Sequence, residues 1–387
     1  MGFRTPFLSQ EIPVEDSTPR PPLTPLWSPL LVAMVCGPTV LALFLTLGGM
    51  SQVLNAAFGL WFTEIFIFVG VCWVLLRATA YEPWSYTGLH APQPSAAALG
   101  FGLGVANFFA FVVPIQYAAQ SVAPPWLREM FDVSRIFEGQ SSLELGLLIA
   151  GVSLAAPFCE EFFFRGVFQK GLLATTLSRP AAVLVTAVVF SAFHLDPVGF
   201  LARVELGVLF GALRLYTGSL WPSILAHSAN NVVSSMLFLL FREAGAEAAE
   251  ERPPLQAILG LMSVGVLAMG GLIALGRRFP SLWGTRREPE TVAVSPPPLA
   301  RSVLPWVVTA TLSVGALVLV DSRGIRLSYL DIQHRLPRLP KDAPDALHAE
   351  RAQLKRLRQE VRGGRVPIKV YEEELLRQAQ AHPKNTR

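Results

Sequence analysis

Within one long apolar run lies the sequence Cys159-Glu160-Glu161-Phe162-Phe163-Phe164-Arg165, which carries two adjacent carboxylates and a guanidinium. Apolar residues continue on both sides, through 145–152 upstream and 171–173 downstream. Ionisable side chains at membrane depth are costly, so such a cluster marks a functional site by default. We therefore interpret much of the remaining chain as the wall around this cluster and as the source of its partners.

The composition excludes an ordinary soluble domain. The chain has 387 residues, of which 52% are hydrophobic and only 16% are charged, whereas soluble domains carry roughly 25% charged residues. The three cysteines, Cys36, Cys72 and Cys159, lie in apolar segments and show neither a disulfide framework nor zinc-type spacing. The small excess of basic residues belongs largely to the C-terminal tail, which favours an anionic lipid surface as partner and gives no indication of nucleic acid.

Hydropathy predicts an all-α, polytopic transmembrane helical bundle, because a span needs ~20 apolar residues and lipid leaves backbone groups no other partners. We expect about eight core spans and one appended span. The predicted spans are 29–49, 56–76, 95–118, 142–158 continuing to about 175, 180–195, 200–216, 219–241, 255–276 and 302–320.

Changes in composition predict five regions. Residues 1–28 are polar and proline-rich, so we expect a disordered N-terminal tail, with the first span retained as an anchor. A membrane-embedded domain at 29–276 contains the motif core 145–240. A basic, proline-rich linker at 277–301 precedes the extra span 302–320 and a basic soluble tail at 321–387.

Within this tail, 344–362 predicts a helix with leucine and valine at heptad-like spacing. Two heptads are too few for a coiled coil, and a helix on the lipid surface is an equal alternative. The basic residues on both sides of the last span leave the membrane orientation undecided.

Glu160 and Glu161 are neighbours, so on a helix their side chains diverge by ~100°. Glu161 and Arg165 are four residues apart and can pair on one face. This predicts a division of labour in which Arg165 neutralises Glu161 and Glu160 faces a cavity as a general base. A purely structural ion network that packs helices together is the alternative. A second carboxylate within a span, Glu64, is expected to pair with a neighbouring helix or to reach an interface.

Two further apolar segments bring His and Asn toward the interior. His194 ends the run that contains Phe190, and His227 and Asn231 share a helical face, with Asn230 as a rival to Asn231. Each set also suits structural hydrogen bonding between helices. Together they favour hydrolysis of an amide: Glu160 and His194 activate a water, and His227 with Asn231 donates to the oxyanion.

Other nucleophiles and pairs fit the sequence less well. Cys159 diverges from Glu160 and suits a buried apolar role. Neither Ser228 nor Ser234 lies in a nucleophile-elbow pattern. Arg203 and Glu205 are two residues apart, so we expect them to pair separately or to reach an interface.

These motifs resemble those of the CAAX prenyl protease and bacteriocin-processing family of intramembrane proteases, also called the Abi family. Its E-E-x-x-x-R motif is matched by Glu160, Glu161 and Arg165. Its F-x-x-x-H motif is matched by Phe190 and His194, and its H-x-x-x-N motif by His227 and Asn231. The similarity covers about 145–240, and the three motifs in this order are far more specific than any one alone.

The resemblance implies an intramembrane endopeptidase in which Glu160 and His194 activate water. His227 and Asn231 would form the oxyanion hole, with Glu161 and Arg165 in support. It implies a glutamate-dependent mechanism without a metal, and zinc held by Glu and His is the mechanistic alternative. A non-catalytic, transporter-like or partner-binding membrane protein that uses the same polar cavity is the alternative function.

A membrane-associated peptide or protein is the expected substrate, and the protein is expected to be a multi-pass protein of the plasma membrane. The sequence does not indicate whether the substrate is prenylated, nor the oligomeric state.

Overall fold

A computed structural model of the chain describes residues 25–91, 93–132, 136–137, 140–244, 253–284, 295, 297–334, 336 and 343–381. Most of the predicted N-terminal tail and part of the predicted linker therefore lie outside the described residues. In chain order the longer helices are α1 (Pro29–Leu54), α2 (Ala56–Ala78), α3 (Pro94–Val122), α4 (Ser142–Leu173), α5 (Arg179–Phe193), α6 (Phe200–Thr217), α7 (Trp221–Ala244), α8 (Leu255–Arg278), α9 (Leu299–Val320), α10 (Ser322–Gln333), α11 (Asp345–Arg362) and α12 (Ile368–Ala381).

The all-α, polytopic fold class is confirmed. Among the described residues, 7 helices are long and apolar enough to cross a membrane, namely α1, α2, α3, α4, α7, α8 and α9. The predicted spans 180–195 and 200–216 form α5 and α6, which are not among these helices. With 15 residues, α5 is shorter than a typical span. The longer α6 carries Arg203, Glu205 and Arg214.

The site helix α4 begins at a capping box. The Ser141 hydroxyl accepts from the backbone N–H of Glu144, and the Glu144 carboxylate accepts from the backbone N–H of Ser141 at 3.1 Å. Such reciprocal bonds satisfy two of the unpaired donors at a helix start. The side-chain amide of Asn55, in the turn between α1 and α2, donates to Glu144 at 3.0 Å. The start of α4 is thereby tied to the first helical hairpin.

Two wide π-helical turns interrupt α4, at Gly151–Ala155 and at Phe162–Phe168. The two glutamates lie between them, and π-type turns occur frequently at functional sites. Pro157 follows the first turn, and because it has no backbone N–H it cannot form the usual helical hydrogen bond there. The N–H of Ala156 bonds to the carbonyl of Gly151, so the ordinary helical register is lost at this point.

Small residues bring α3 and α7 into backbone contact. A side chain at Gly100 would overlap the backbone of Pro222, and one at Gly104 would overlap the backbone of Ala226. Helices in membranes commonly approach through such small residues. This contact sets the position of α7, because Ala226 directly precedes His227.

The bundle core is aromatic around the site. Phe162, Phe163 and Phe164 are fully buried, and their neighbours include Phe68 on α2 and Phe193 on α5. Large rings exclude water, so they keep the polar side chains between them in a low-dielectric setting.

The last span also reaches this core. The ring of Trp306 on α9 lies against Phe168 and Phe193, in the space that a side chain at Gly37 would need. The helix α9, which lies beyond the predicted domain boundary near 276, thus packs on α1 of the preceding domain. That boundary stays a prediction.

The last three helices, α10 to α12, form a small unit with its own apolar core. Its buried residues are Leu327, Leu330, Leu354, Val361, Tyr371 and Leu375. The predicted helix at 344–362 is confirmed as α11. The heptad-spaced Leu354 and Val361 pack inside this unit, so they are not the residues that would contact a lipid surface.

Candidate active site

Glu160 and Glu161 lie on α4 where the two wide turns leave a short α-helical segment. Glu161 is fully buried, and Glu160 is 9% exposed. As expected from their adjacency, the two carboxylates have different partners. Glu161 is bonded to Arg165 and to His227, both through its Oε1 atom. The Oε2 atoms of both glutamates are buried and have no hydrogen-bond partner among the described residues.

The predicted pair of Glu161 and Arg165 is confirmed at 2.7 Å between Oε1 and Nη1. Arg165 also donates from Nη2 to the carbonyl of Gly207 on α6 at 3.1 Å. Its guanidinium lies 4.6 Å from the ring centroid of Phe190 and 5.3 Å from that of Phe210. A buried cation needs a counter-ion and hydrogen bonds, and it gains from aromatic faces. Arg165 therefore ties α4 to α5 and α6.

His227 lies between the two glutamates. Its Nδ1 is 3.1 Å from Glu161 Oε1, and its Nε2 is 3.9 Å from Glu160 Oε2. The imidazole stacks on Phe210, with centroids 4.7 Å apart and planes at 20°. Because Glu161 is paired with Arg165 it is an acceptor, so the short contact assigns a proton to Nδ1 of His227. The Nε2 atom then faces Glu160.

Asn231 lies one turn beyond His227 on α7 and bonds back to the site helix. Its Nδ2 donates to the carbonyl of Val152 at 2.8 Å. That carbonyl is available because Ala156 bonds to Gly151 in the wide turn and Pro157 has no N–H to offer. The amide of Asn231 has a second N–H, which can serve a ligand.

The rival residue Asn230 supports Asn231. The Nδ2 atom of Asn230 donates to Asn231 Oδ1 at 3.0 Å, and Asn230 is 7% exposed. Its hydrogen bond fixes which end of the Asn231 amide is the donor, and so orients the Nδ2 group.

His194 follows the last residue of α5 and is exposed. Its Nδ1 lies 3.0 Å from the carbonyl of Phe190, and its ring packs on the Phe190 ring with centroids 5.1 Å apart. The ring of Phe190 also contacts the imidazole of His227, with centroids 5.7 Å apart. Both histidines therefore pack on the ring of Phe190, and within the described residues His194 makes no direct polar contact with Glu160.

The loop after His194 was not predicted as part of the site. Leu195 has φ of 52°, which is the left-handed region that a leucine rarely adopts. Asp196 stabilises this loop by accepting from the N–H groups of Val198 and Gly199 at 2.9 and 3.2 Å, and it pairs with Arg203. The sequence feature that marks this loop is the pair Asp196-Pro197. This pair alone does not indicate that Asp196 binds Arg203.

Two more carboxylates lie within the bundle. Glu64 on α2 is 3% exposed, and its Oε2 has no hydrogen-bond partner among the described residues. Glu205 on α6 accepts from the amide of Asn107 on α3 at 2.8 Å. Since Arg203 pairs with Asp196, the expectation that Arg203 and Glu205 pair separately is confirmed.

The contacts give no support to a three-ligand metal centre. Within the described part of the chain, no three His, Cys, Asp or Glu side chains come together as a metal site would require. Glu160, His194 and His227, which would be the zinc ligands, do not form such a group, and both imidazoles contact the ring of Phe190.

The fold and the site together define a polytopic α-helical membrane protein with a buried Glu–His–Asn centre. The model of the type II CAAX prenyl endopeptidase Rce1-like family matches residues 142–233, from the start of α4 into α7. This match confirms the resemblance that the three motifs indicated. At family level it supports a CAAX-type intramembrane endopeptidase, which is a protease. Neither a curated protein nor a solved structure matches the chain.

Proposed function

We propose that this protein is an intramembrane endopeptidase in which Glu160 activates a water molecule for attack on a peptide carbonyl. The observation that carries this proposal is the Oε2 atom of Glu160, which is buried, has no partner among the described residues and lies 3.9 Å from His227 Nε2. A buried acceptor normally has a partner. A polar separation beyond 3.5 Å favours a bridging water.

The proton follows one route in this mechanism. Glu160 takes it from the water as the hydroxide attacks the carbonyl carbon, and a tetrahedral oxyanion forms. Glu160 then returns it to the leaving amine when the C–N bond breaks. One carboxylate can serve as base and then as acid, because its protonated form is the product of the first step.

The oxyanion would be held by His227 and Asn231, which lie on one face of α7. Asn231 offers its second N–H. Because Nδ1 of His227 carries the proton shared with Glu161, donation from Nε2 requires the imidazolium form. The Glu160 carboxylate beside Nε2 balances that charge at first, and the oxyanion does so once Glu160 has taken the proton from water. Preorganised donors in a dry site are usually the largest contribution to such catalysis.

Glu161 and Arg165 act through His227 in this proposal. They orient the imidazole and fix its proton, and they do not touch the reacting atoms. His194 would act through a water, since its Nδ1 is engaged by the carbonyl of Phe190 and only Nε2 remains to face the site. This differs from a direct contact between His194 and Glu160.

We further propose that the reaction needs no metal, because Asn231 is an unusual zinc ligand and the proposed mechanism assigns the activation of water to Glu160. The substrate would be a membrane-associated peptide or protein. The family name points to C-terminal prenylated peptides as one class, and peptide maturation and regulated cleavage of membrane proteins fit equally. The plasma membrane is our proposed location.

Comparison of membrane proteomes tests this function without a known substrate. Cells that express the wild type should accumulate cleaved termini that are missing with Glu160→Gln. The matched control is Glu205→Gln, which changes a carboxylate in the same bundle whose bond to Asn107 lies outside the site. Identical termini with wild type and Glu160→Gln would favour the non-catalytic alternative.

A further inference from the structure

The first helix beyond the last span, α10, carries apolar residues on two faces. One face packs inside the three-helix unit through Leu327 and Leu330. On the opposite face Ile325, Tyr329 and Ile332 are 44%, 64% and 41% exposed. These three follow the i, i+4, i+7 spacing of a single helical stripe, about 10 Å long at 1.5 Å per residue. We call them the α10 stripe.

This stripe begins directly where the chain leaves the membrane. The span α9 ends at Val320, and its last two residues, Leu319 and Val320, are 86% and 69% exposed, as expected of side chains that face lipid. Asp321 then turns the chain with φ of −130° and ψ of 45°, and accepts from the N–H of Gly324 at 3.0 Å to start α10. The stripe therefore starts five residues beyond the hydrocarbon region.

A second connection holds the three-helix unit at this level. Arg362, the last residue of α11, pairs with the same Asp321. Arg323 lies over the turn between α11 and α12, where it occupies the space beside Gly364. The three-helix unit is therefore held at the end of α9 by these contacts as well as by the chain connection between α9 and α10.

The charges of α10 also suit a bilayer surface. Its acidic residue, Asp331, is turned inward, where it accepts from Tyr371 at 2.5 Å and from Arg358 at 2.8 Å. Arg326 is exposed and flanks the stripe next to Tyr329 on the helical face. Tyrosine is enriched at membrane interfaces, and basic residues there interact favourably with anionic headgroups.

We propose that the α10 stripe lies in the headgroup layer of the bilayer and anchors the C-terminal unit flat against the membrane. The occupant of this face is lipid, because the stripe begins five residues after the exposed end of the span α9 and has the exposed Arg326 at its edge. Amphipathic helices bind interfaces in this way. This inference does not depend on the proposed protease activity.

Site-specific labels on the full-length protein in lipid nanodiscs test the proposal. The three native cysteines are buried, so a new surface cysteine can carry an environment-sensitive fluorophore. Tyr329→Cys and Ile332→Cys place it on the stripe. Lys369→Cys is the matched control, since this side chain on α12 is 82% exposed. With lipids brominated on their acyl chains, we expect blue-shifted emission and a loss of fluorescence at 329 and 332, and neither at 369.

Equal emission at all three positions, with no quenching by brominated lipid, would overturn the proposal. Label-to-label quenching between protein copies without lipid quenching would also overturn it and would assign the stripe to a second copy. The basic edge is tested by adding Arg326→Glu to Ile332→Cys. We expect this charge reversal to reduce the lipid quenching in discs that contain anionic lipid, and unchanged quenching would contradict the role of Arg326.

Discussion

The imidazole of His227 hydrogen-bonds to Glu161 and not to Glu160, with Nδ1 3.1 Å from one carboxylate and Nε2 3.9 Å from the other. We therefore propose different tasks for the two adjacent glutamates. In this proposal Glu161, paired with Arg165, orients the ring and fixes its proton. Glu160, which forms no hydrogen bond with His227, would be the base that acts on water.

Removing the charge of Glu161 should destabilise the protein as well as lower turnover. Glu161→Gln leaves Arg165 buried without its counter-ion, and breaking such a pair costs about 3–5 kcal/mol. Thermal unfolding of the purified protein measures this loss. Adding Arg165→Met removes the unpaired charge, so the double variant should regain stability without regaining turnover. A double variant that is as unstable as the single one would contradict the coupling.

Truncation of Asn231 should affect the chemical step. Asn231→Ala removes a proposed oxyanion donor, and loss of one such donor lowers kcat by about a hundredfold to a thousandfold. Asn230→Ala is the control, because Asn230 acts only by orienting its neighbour, and we expect a smaller decrease. KM should change little in either variant. If Asn230→Ala is the more damaging change, the two residues have been assigned the wrong way round.

The contact of α3 with α7 should tolerate no side chain at Gly104. A Cβ there would overlap the backbone of Ala226, next to His227, and α7 would have to shift. Gly104→Ala should therefore cost about 1–3 kcal/mol of stability. Gly102→Ala is the matched control, since its Cβ would meet only the flexible side chain of Leu272 at 3.2 Å. Similar unfolding temperatures for both variants would contradict this packing.

Removal of metals should leave turnover intact. Asn231 is an unusual zinc ligand, and the proposed mechanism assigns the activation of water to Glu160. Metal analysis of the active purified protein, together with assay after chelation, measures this directly. Stoichiometric zinc, with activity lost on its removal and restored on its return, would overturn the metal-free mechanism. The proposed protease activity would remain.

Local relationships could be predicted from the sequence, whereas contacts between helices could not. The i,i+4 spacing alone gave the pair of Glu161 and Arg165, and hydropathy gave the long helices. The bond from Asn231 to Val152 depends on a carbonyl released by a wide turn seventy-nine residues away in sequence. No periodicity reveals such a bond, because it depends on how two helices pack.

His194 shows the same limit. Its place at a helix end could be predicted, but its packing on the ring of Phe190 and the left-handed turn at Leu195 could not. The C-terminal helices give a further example. The heptad pattern of α11 marked an apolar face correctly, yet the sequence alone did not show that α10 and α12 would cover it.

The most direct test of the account is single-site replacement of Glu160 in purified protein in nanodiscs, assayed on a substrate identified by the proteome comparison. Glu160→Gln keeps the size of the side chain but cannot accept the proton from water, so we predict normal folding and no detectable turnover. Glu205→Gln, treated identically, should turn over substrate like the wild type. Turnover by a well-folded Glu160→Gln protein at the wild-type rate would contradict the central claim.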